Sequence, residues 1–195
     1  MTIAFVLGNG VSRQSVDLNI LKSHGKIYGC NALYREFTPD VLVATDKPIA
    51  EAIQKSGYAK ENVFYTRRPI PGLGAKSLSK LYQGFSSGPN ALALASVEQP
   101  VNVVLLGFDI GGNMGFFNNL YADTDFYKKS TDKSTYTGNW IKQIIKICND
   151  YPKIQYTRVV GKTSAKIDQF NVVKNLLQID IDEFLLMVNS KKGLK

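Results

Sequence analysis

The sequence predicts an α/β fold: a single Rossmann-like, doubly wound, mainly parallel sheet with a flexible lid. Three observations carry that prediction. Ile3-Ala4-Phe5-Val6-Leu7 is an unbroken apolar run entering the turn residues Gly8-Asn9-Gly10-Val11-Ser12, as expected of a strand buried on both faces. A second such run, Asn102-Val103-Val104-Leu105-Leu106, delivers Gly107-Phe108-Asp109. Strand-like and helix-like segments alternate around them, the pattern of crossover units. No repeat or linker divides the 195 residues. Residues 1–195 therefore read as one domain, with a lid at about 110–138 and a C-terminal helical extension at about 165–195.

Taken in order, Ser15 to Leu21 suits a short helix, with Val16, Leu18, Ile20 and Leu21 apolar. Lys26-Ile27-Tyr28-Gly29 reads as the second strand, ending at Cys30-Asn31. Asp40 to Thr45 is a third strand that delivers Asp46, and Pro48 to Ser56 a helix with its proline in the first turn. Asn62 to Tyr65 is a shorter strand. Arg67 to Leu81, basic and rich in Gly, Pro and Ser, reads as a surface loop. Ser86-Ser87-Gly88-Pro89 then opens a helix of small residues. From Ile110 to Gly138 periodicity is lost, as in a functional lid. Trp140 to Tyr151 is amphipathic, Ile154 to Val160 a last strand, and Ile167 to Val188 helical.

Composition bounds the function. The formal charge of +8 favours anionic partners, and the lysines at 191, 192 and 195 read as a solvated tail. There is no leader and no apolar run long enough to cross a bilayer, so the chain reads as soluble and cytoplasmic. Cys30 and Cys148 are the two cysteines and are expected to stay reduced. His24 is the one histidine, which excludes the usual zinc sites and any nucleophile pair not built on it. Asp46 and Asp109, both ending strands on one edge, are the one carboxylate pair that would reach a divalent cation; the favoured expectation is no metal.

A strand entering a Gly-rich turn commonly marks a nucleotide site, where free backbone N–H groups cradle phosphate. Here that predicts outward-facing amides at Gly8 to Ser12, although Asn9 and Ser12 also suit plain turn and cap roles. Asn31 would hold a ligand or close a turn, and Asp46 would face a ligand or cap the helix at Pro48. A dinucleotide fingerprint fails, because Arg13-Gln14-Ser15 lacks the third glycine and Asn31 replaces the ribose-binding acid. A P-loop fails for want of Gly-Lys-Ser/Thr. NAD chemistry and ATP hydrolysis are thereby disfavoured.

Gly8-Asn9-Gly10-Val11-Ser12, Cys30-Asn31-Ala32-Leu33-Tyr34, Ser86-Ser87-Gly88 and Leu106-Gly107-Phe108-Asp109 occur in this order over roughly residues 3–160. The set resembles the bacterial lipooligosaccharide sialyltransferases, and the wider group of motility-associated glycosyltransferase-like and pterin diphosphokinase-like proteins. The resemblance implies a nucleotide-sugar donor of the CMP type, no tightly bound cofactor, and a glycan or other hydroxyl acceptor. It implies that Asn9 and Ser12 contact the nucleotide and phosphate, and that Asn31 holds the nucleotide's sugar or phosphate. Ser87 and Gly88 would meet a sugar carboxylate, and Asp109 would lie beside the ribose and base contacts. Tyr121 and Tyr136 would bond the departing phosphate through their phenols.

The departures bear on chemistry. Asn139 stands where the family has its histidine base, and an amide cannot take a proton at neutral pH. Gly84 replaces an arginine, and Asp46 replaces an amide. Two functions stay open: a nucleotide-sugar transferase whose base is Asp46 or Asp109, or none, and a binding or structural protein that has lost turnover. Trp140 reads as core, Tyr136 also as a packing residue, and Arg67 and Arg68 as a solvated loop. Nucleic acid is the third choice, since no aromatic and basic interleaving is visible.

Overall fold

The computed structural model describes residues 2–190; the lysines at 191, 192 and 195 lie outside them. Eight strands form one sheet: β1 (Ile3–Leu7), β2 (Gly25–Cys30), β3 (Val41–Ala44), β4 (Phe64–Thr66), β5 (Lys76–Ser77), β6 (Asn102–Leu106), β7 (Gln155–Val160) and β8 (Leu176–Asp180). Their order is 5-4-3-2-1-6-7-8, and every neighbouring pair is parallel. That arrangement is consistent with a Rossmann-like topology. β1 lies between β2 and β6, and all five of its residues are buried. Phe5, Val6 and Leu7 have no exposed surface, and each such side chain contributes about 1.5–3 kcal/mol by leaving water.

Helices cover both faces. α1 (Leu18–Leu21), α2 (Lys47–Lys55), α3 (Tyr58–Glu61) and α6 (Ile181–Asn189) join the core that contains Ile3, Phe5 and Leu7. α4 (Ser87–Val97) and α5 (Gly138–Asp150) pack with Ala4 and Val6 on the other side. Ala91, Ala93 and Ala95 make α4 slim, so it lies close to the sheet. α5 buries Ile144, Ile147 and Cys148 and exposes Lys142 and Lys146. Cys30 and Cys148 are buried, unbridged thiols. No helix among the described residues is long and apolar enough to cross a membrane.

Two expectations are corrected. Ile167 to Val188 is not one helix: a 3-10 turn at Asp168–Phe170 and strand β8 precede α6. Ile167, Phe170, Val173 and Leu176 recur every third residue and are all buried, which imitates a helical stripe. Leu176–Asp180 instead pairs along the edge of β7, and the Asp180 carboxylate caps α6 by accepting from Asp182 N at 2.8 Å. The Arg67–Leu81 loop is interrupted by β5, which pairs with β4, and by a 3-10 turn at Lys80–Tyr82.

Residues 110–137 carry no helix or strand, only an isolated bridge between Phe116 and Lys133. The segment leaves β6 through Ile110, Gly111 and Gly112, all at positive φ (50°, 82° and 74°). Glycine tolerates that conformation; for the β-branched Ile110 it stores strain of order 1–3 kcal/mol. The turn sends the segment back over the carboxyl edge of the sheet, where Leu120 N donates to Asn9 O.

Candidate functional site

Strand order reverses between β1 and β6, so their loops diverge and leave a crevice at the carboxyl edge, where open α/β sheets bind ligands. A cleft of about 480 Å³ lies there. Its walls include Gly8, Asn9 and Gly10 after β1, Asn31 after β2, and Asp46 after β3. Ser87 and Gly88 at the head of α4 and Asp109 after β6 complete the set of sequence-derived residues in its walls. Ser12, Tyr121, Tyr136 and Asn139 are not among the lining residues.

The first loop corrects one expectation. Gly8 N donates to Leu106 O (2.7 Å), Gly10 N to Gly107 O (2.8 Å), Val11 N to Asn118 Oδ1 (2.9 Å) and Ser12 N to Asp109 Oδ2 (3.0 Å). These four amides are taken within the chain rather than free to hold phosphate; Asn9 N, between them, has no acceptor among the described residues. The glycines serve the same packing. A side-chain carbon at Gly8 would lie 2.5 Å from Gly107 O, and one at Gly10 would lie 2.5 Å from Asp109 Cγ. The main chain does need close approach at these positions, but the approaching partner is the β6 loop.

Asp109 is the hub of that packing, 2% exposed. Besides Ser12 N, its carboxylate accepts from the Ser12 hydroxyl, from Thr163 Oγ1 (3.0 Å) and from Ser164 Oγ (2.7 Å). Four donors match the roughly four lone-pair sites of a carboxylate. Asp46 differs: it is exposed at the N-cap of α2, and its side chain makes no capping bond. Among the described residues no group of three or more His, Cys, Asp or Glu side chains could hold a metal ion.

At the head of α4, Ser86 N donates to Gln143 Oε1 (3.0 Å), and the Ser86 hydroxyl accepts from Trp140 Nε1 (3.0 Å). The buried Ser87 hydroxyl accepts from Thr45 N (2.9 Å) and shares a bond with the Thr45 hydroxyl (2.9 Å). The first-turn amides of Ser87 and Gly88 precede any intrahelical acceptor and have none elsewhere among the described residues. They lie at the positive end of the helix dipole, on the cleft wall.

The 110–137 segment distributes its phenols unevenly. Tyr121 is buried, donates to Glu36 Oε1 (2.5 Å) and accepts from Arg13 (3.3 Å), a guanidinium that also bonds Gly8 O (2.9 Å) and Glu36 (3.0 Å). Tyr136 is 74% exposed, and Asn139 is exposed in the first turn of α5. Tyr127 lines the cleft instead: its hydroxyl accepts from Ala32 N (3.2 Å) and Asn9 Nδ2 (3.5 Å). Burial pushes its pKa above the ordinary phenol value. Trp140, expected in the core, is half-buried, and it joins Phe108, Phe117, Phe126 and Lys128 in the cleft wall. Sequence reasoning missed Tyr127, Phe117, Phe126 and Asn118. Their only local signal is the aromatic and amide content of the lid.

Two acceptors in these walls are incomplete. Asn9 Oδ1 and Asn31 Oδ1 are buried without a partner among the described residues, and Asn9 as a whole is 7% exposed. Native chains rarely leave such groups unpaired, and each exception calls for an explanation. Fold and cleft define a parallel α/β protein with a ligand-sized hollow at its switch point. No protein-family model, curated protein or solved structure matches the chain.

Proposed function

We propose that the protein binds a nucleotide or nucleotide sugar in this cleft and transfers the sugar to an acceptor hydroxyl. One observation carries the reading: a cleft at the sheet's switch point has two open amides at the head of α4 and two unpartnered carboxamide oxygens in its walls. The amides and the helix dipole suit an anionic group. The carboxamide oxygens suit hydroxyl or amino donors, and the aromatic side chains in the wall, Phe108, Phe117, Phe126 and Trp140, suit a base or sugar ring. The volume falls in the range of small-molecule sites. The resemblance to lipooligosaccharide sialyltransferases favours a CMP-type donor. Asp46, exposed on the cleft wall and without a capping bond, is the carboxylate assigned to activating the acceptor.

The test is calorimetry and thermal unfolding with CMP, UDP, GDP and their sugar forms. Stabilisation by one of them should grow with concentration, reaching about 2.7 kcal/mol at a hundredfold excess over Kd. With water or an added sugar hydroxyl taking the glycosyl group, release of free nucleotide from its sugar form should follow and be lost in Asp46→Asn. A flat panel overturns the proposal. A second reading, binding without transfer, is favoured by the position of Tyr136 and Asn139 outside the cleft lining. Tight binding with no nucleotide release above the uncatalysed rate selects it.

A further inference from the structure

We propose that Tyr127 is a ligand-binding residue, and that it forms with Asn9 a subsite for a sugar hydroxyl; this rests on the nucleotide reading above. A phenol oxygen carries two lone pairs and one proton. In Tyr127 the lone pairs face the N–H groups of Ala32 and Asn9. The proton has no acceptor among the described residues. Burial raises the pKa, so the proton stays on at neutral pH. Asn9 Nδ2 also donates to Cys30 O at 3.3 Å. That bond sets the carboxamide's orientation, because a flip would bring Oδ1 against a carbonyl oxygen. The result is an unused donor and an unused acceptor on adjoining groups, with Asn9 as a residue more than nine-tenths buried.

The chemistry of the missing group follows. A fully ionised phosphate has no proton for Asn9 Oδ1, and an ammonium has no lone pair for the Tyr127 proton. A hydroxyl both donates and accepts, so it completes the pair. Asn31 Oδ1, also unpartnered in the same cleft, takes the proton of a second hydroxyl. A hydroxyl-rich ring, either the nucleotide's ribose or the transferred sugar, meets both needs when its anionic group sits apart at the head of α4.

Calorimetry on the full chain distinguishes the sources, using CMP, GMP and UDP, their 2′-deoxy forms, CMP-N-acetylneuraminic acid and UDP-glucose. Tyr127→Phe should weaken binding about tenfold or more, because a buried acceptor and donor are left without exchange partners. Tyr156→Phe, whose phenol is engaged with Ser96 and lies outside the cleft lining, should leave affinity within about twofold. If ribose occupies the subsite, the ribo-over-deoxy preference collapses in Tyr127→Phe. If the transferred sugar does, the gain from nucleotide to nucleotide sugar collapses instead. Either collapse supports the assignment, and a structural role alone would move neither ratio. Should Tyr127→Phe fail to fold, Asn31→Gly carries the test through the second hydroxyl, since glycine accepts the φ of 52° found there and the carboxamide, with its unpartnered oxygen, is removed. Wild-type binding with both ratios unchanged in the variant overturns this assignment alone. No nucleotide binding by the wild type overturns the reading beneath it as well.

Discussion

At the end of β1, the amides of Gly8, Gly10, Val11 and Ser12 donate within the chain, and only that of Asn9 has no acceptor among the described residues. At the head of α4, those of Ser87 and Gly88 have no acceptor among the described residues. Both stretches combine glycine with serine beyond a strand or at a helix start, and both suit phosphate by composition. The difference lies in what packs against them. The β6 loop closes on the first stretch with backbone and carboxylate acceptors, through Gly107 and Asp109, while the second is braced at its serine hydroxyls and the Ser86 amide by Thr45, Gln143 and Trp140. Glycine and serine mark where a backbone is approachable; the rest of the fold decides what approaches.

Breaking the first stretch should cost the most. Asp109→Ala leaves Ser12 N and the hydroxyls of Ser12, Thr163 and Ser164 without their acceptor in a buried site. The expected loss is about 3–5 kcal/mol, a large part of a typical total of about 5–15 kcal/mol. Urea unfolding measures it as a lower midpoint. A loss below about 1 kcal/mol, the size of one ordinary hydrogen bond, would mean that the first loop is not held by this carboxylate.

The α4 end should respond with opposite signs. Ser86→Asp places a carboxylate at the N-cap, which favours the helix by about 0.3–1 kcal/mol through the dipole and a side-chain cap. The same charge competes with a ligand's anion for the Ser87 and Gly88 amides. Nucleotide affinity should therefore fall about tenfold, or about 1.4 kcal/mol, while the thermal midpoint holds or rises. Affinity unchanged in a folded variant would remove the anion from this end of the cleft and erase the contrast.

How far the sequence reaches follows from the same difference. β1 and β6 were legible because a strand covered on both faces is apolar at every position, and α5 because one flank is wet. The location of the cleft was legible too, since the strand ends that reach it carry Gly, Asn, Ser and Asp. The lid was not. Its placement depends on bonds such as Leu120 N to Asn9 O (2.8 Å) and Ala32 N to the Tyr127 hydroxyl, which join residues far apart in sequence. Nothing local separates Tyr127 from Tyr121 or Tyr136 among ten tyrosines. β8 stayed hidden because an edge strand owes its state to its neighbour β7 rather than to its own pattern.

The smallest expected effect concerns Cys30, which lines the cleft yet is 5% exposed. Its Sγ–H donates to Leu7 O at 3.4 Å, beneath the first loop. Burial pushes the thiol up from 9.0 to about 12, with the Arg13 charge pulling partly back; burial also raises Cys148 to about 12. Neither thiol should react with a disulfide reagent at about pH 8 in the folded protein, because the thiolate is the nucleophile. Both should react once guanidinium unfolds the chain. The linkage sign agrees: the folded state keeps thiol protons that the unfolded state loses, so their contribution is complete below pH 9.0 and is lost as pH rises toward about 12. Rapid labelling of one thiol at about pH 8 in the folded protein, mapped to Cys30, would show that the β1 side of the cleft opens in solution. The closed first loop and the open α4 end would then no longer differ in kind.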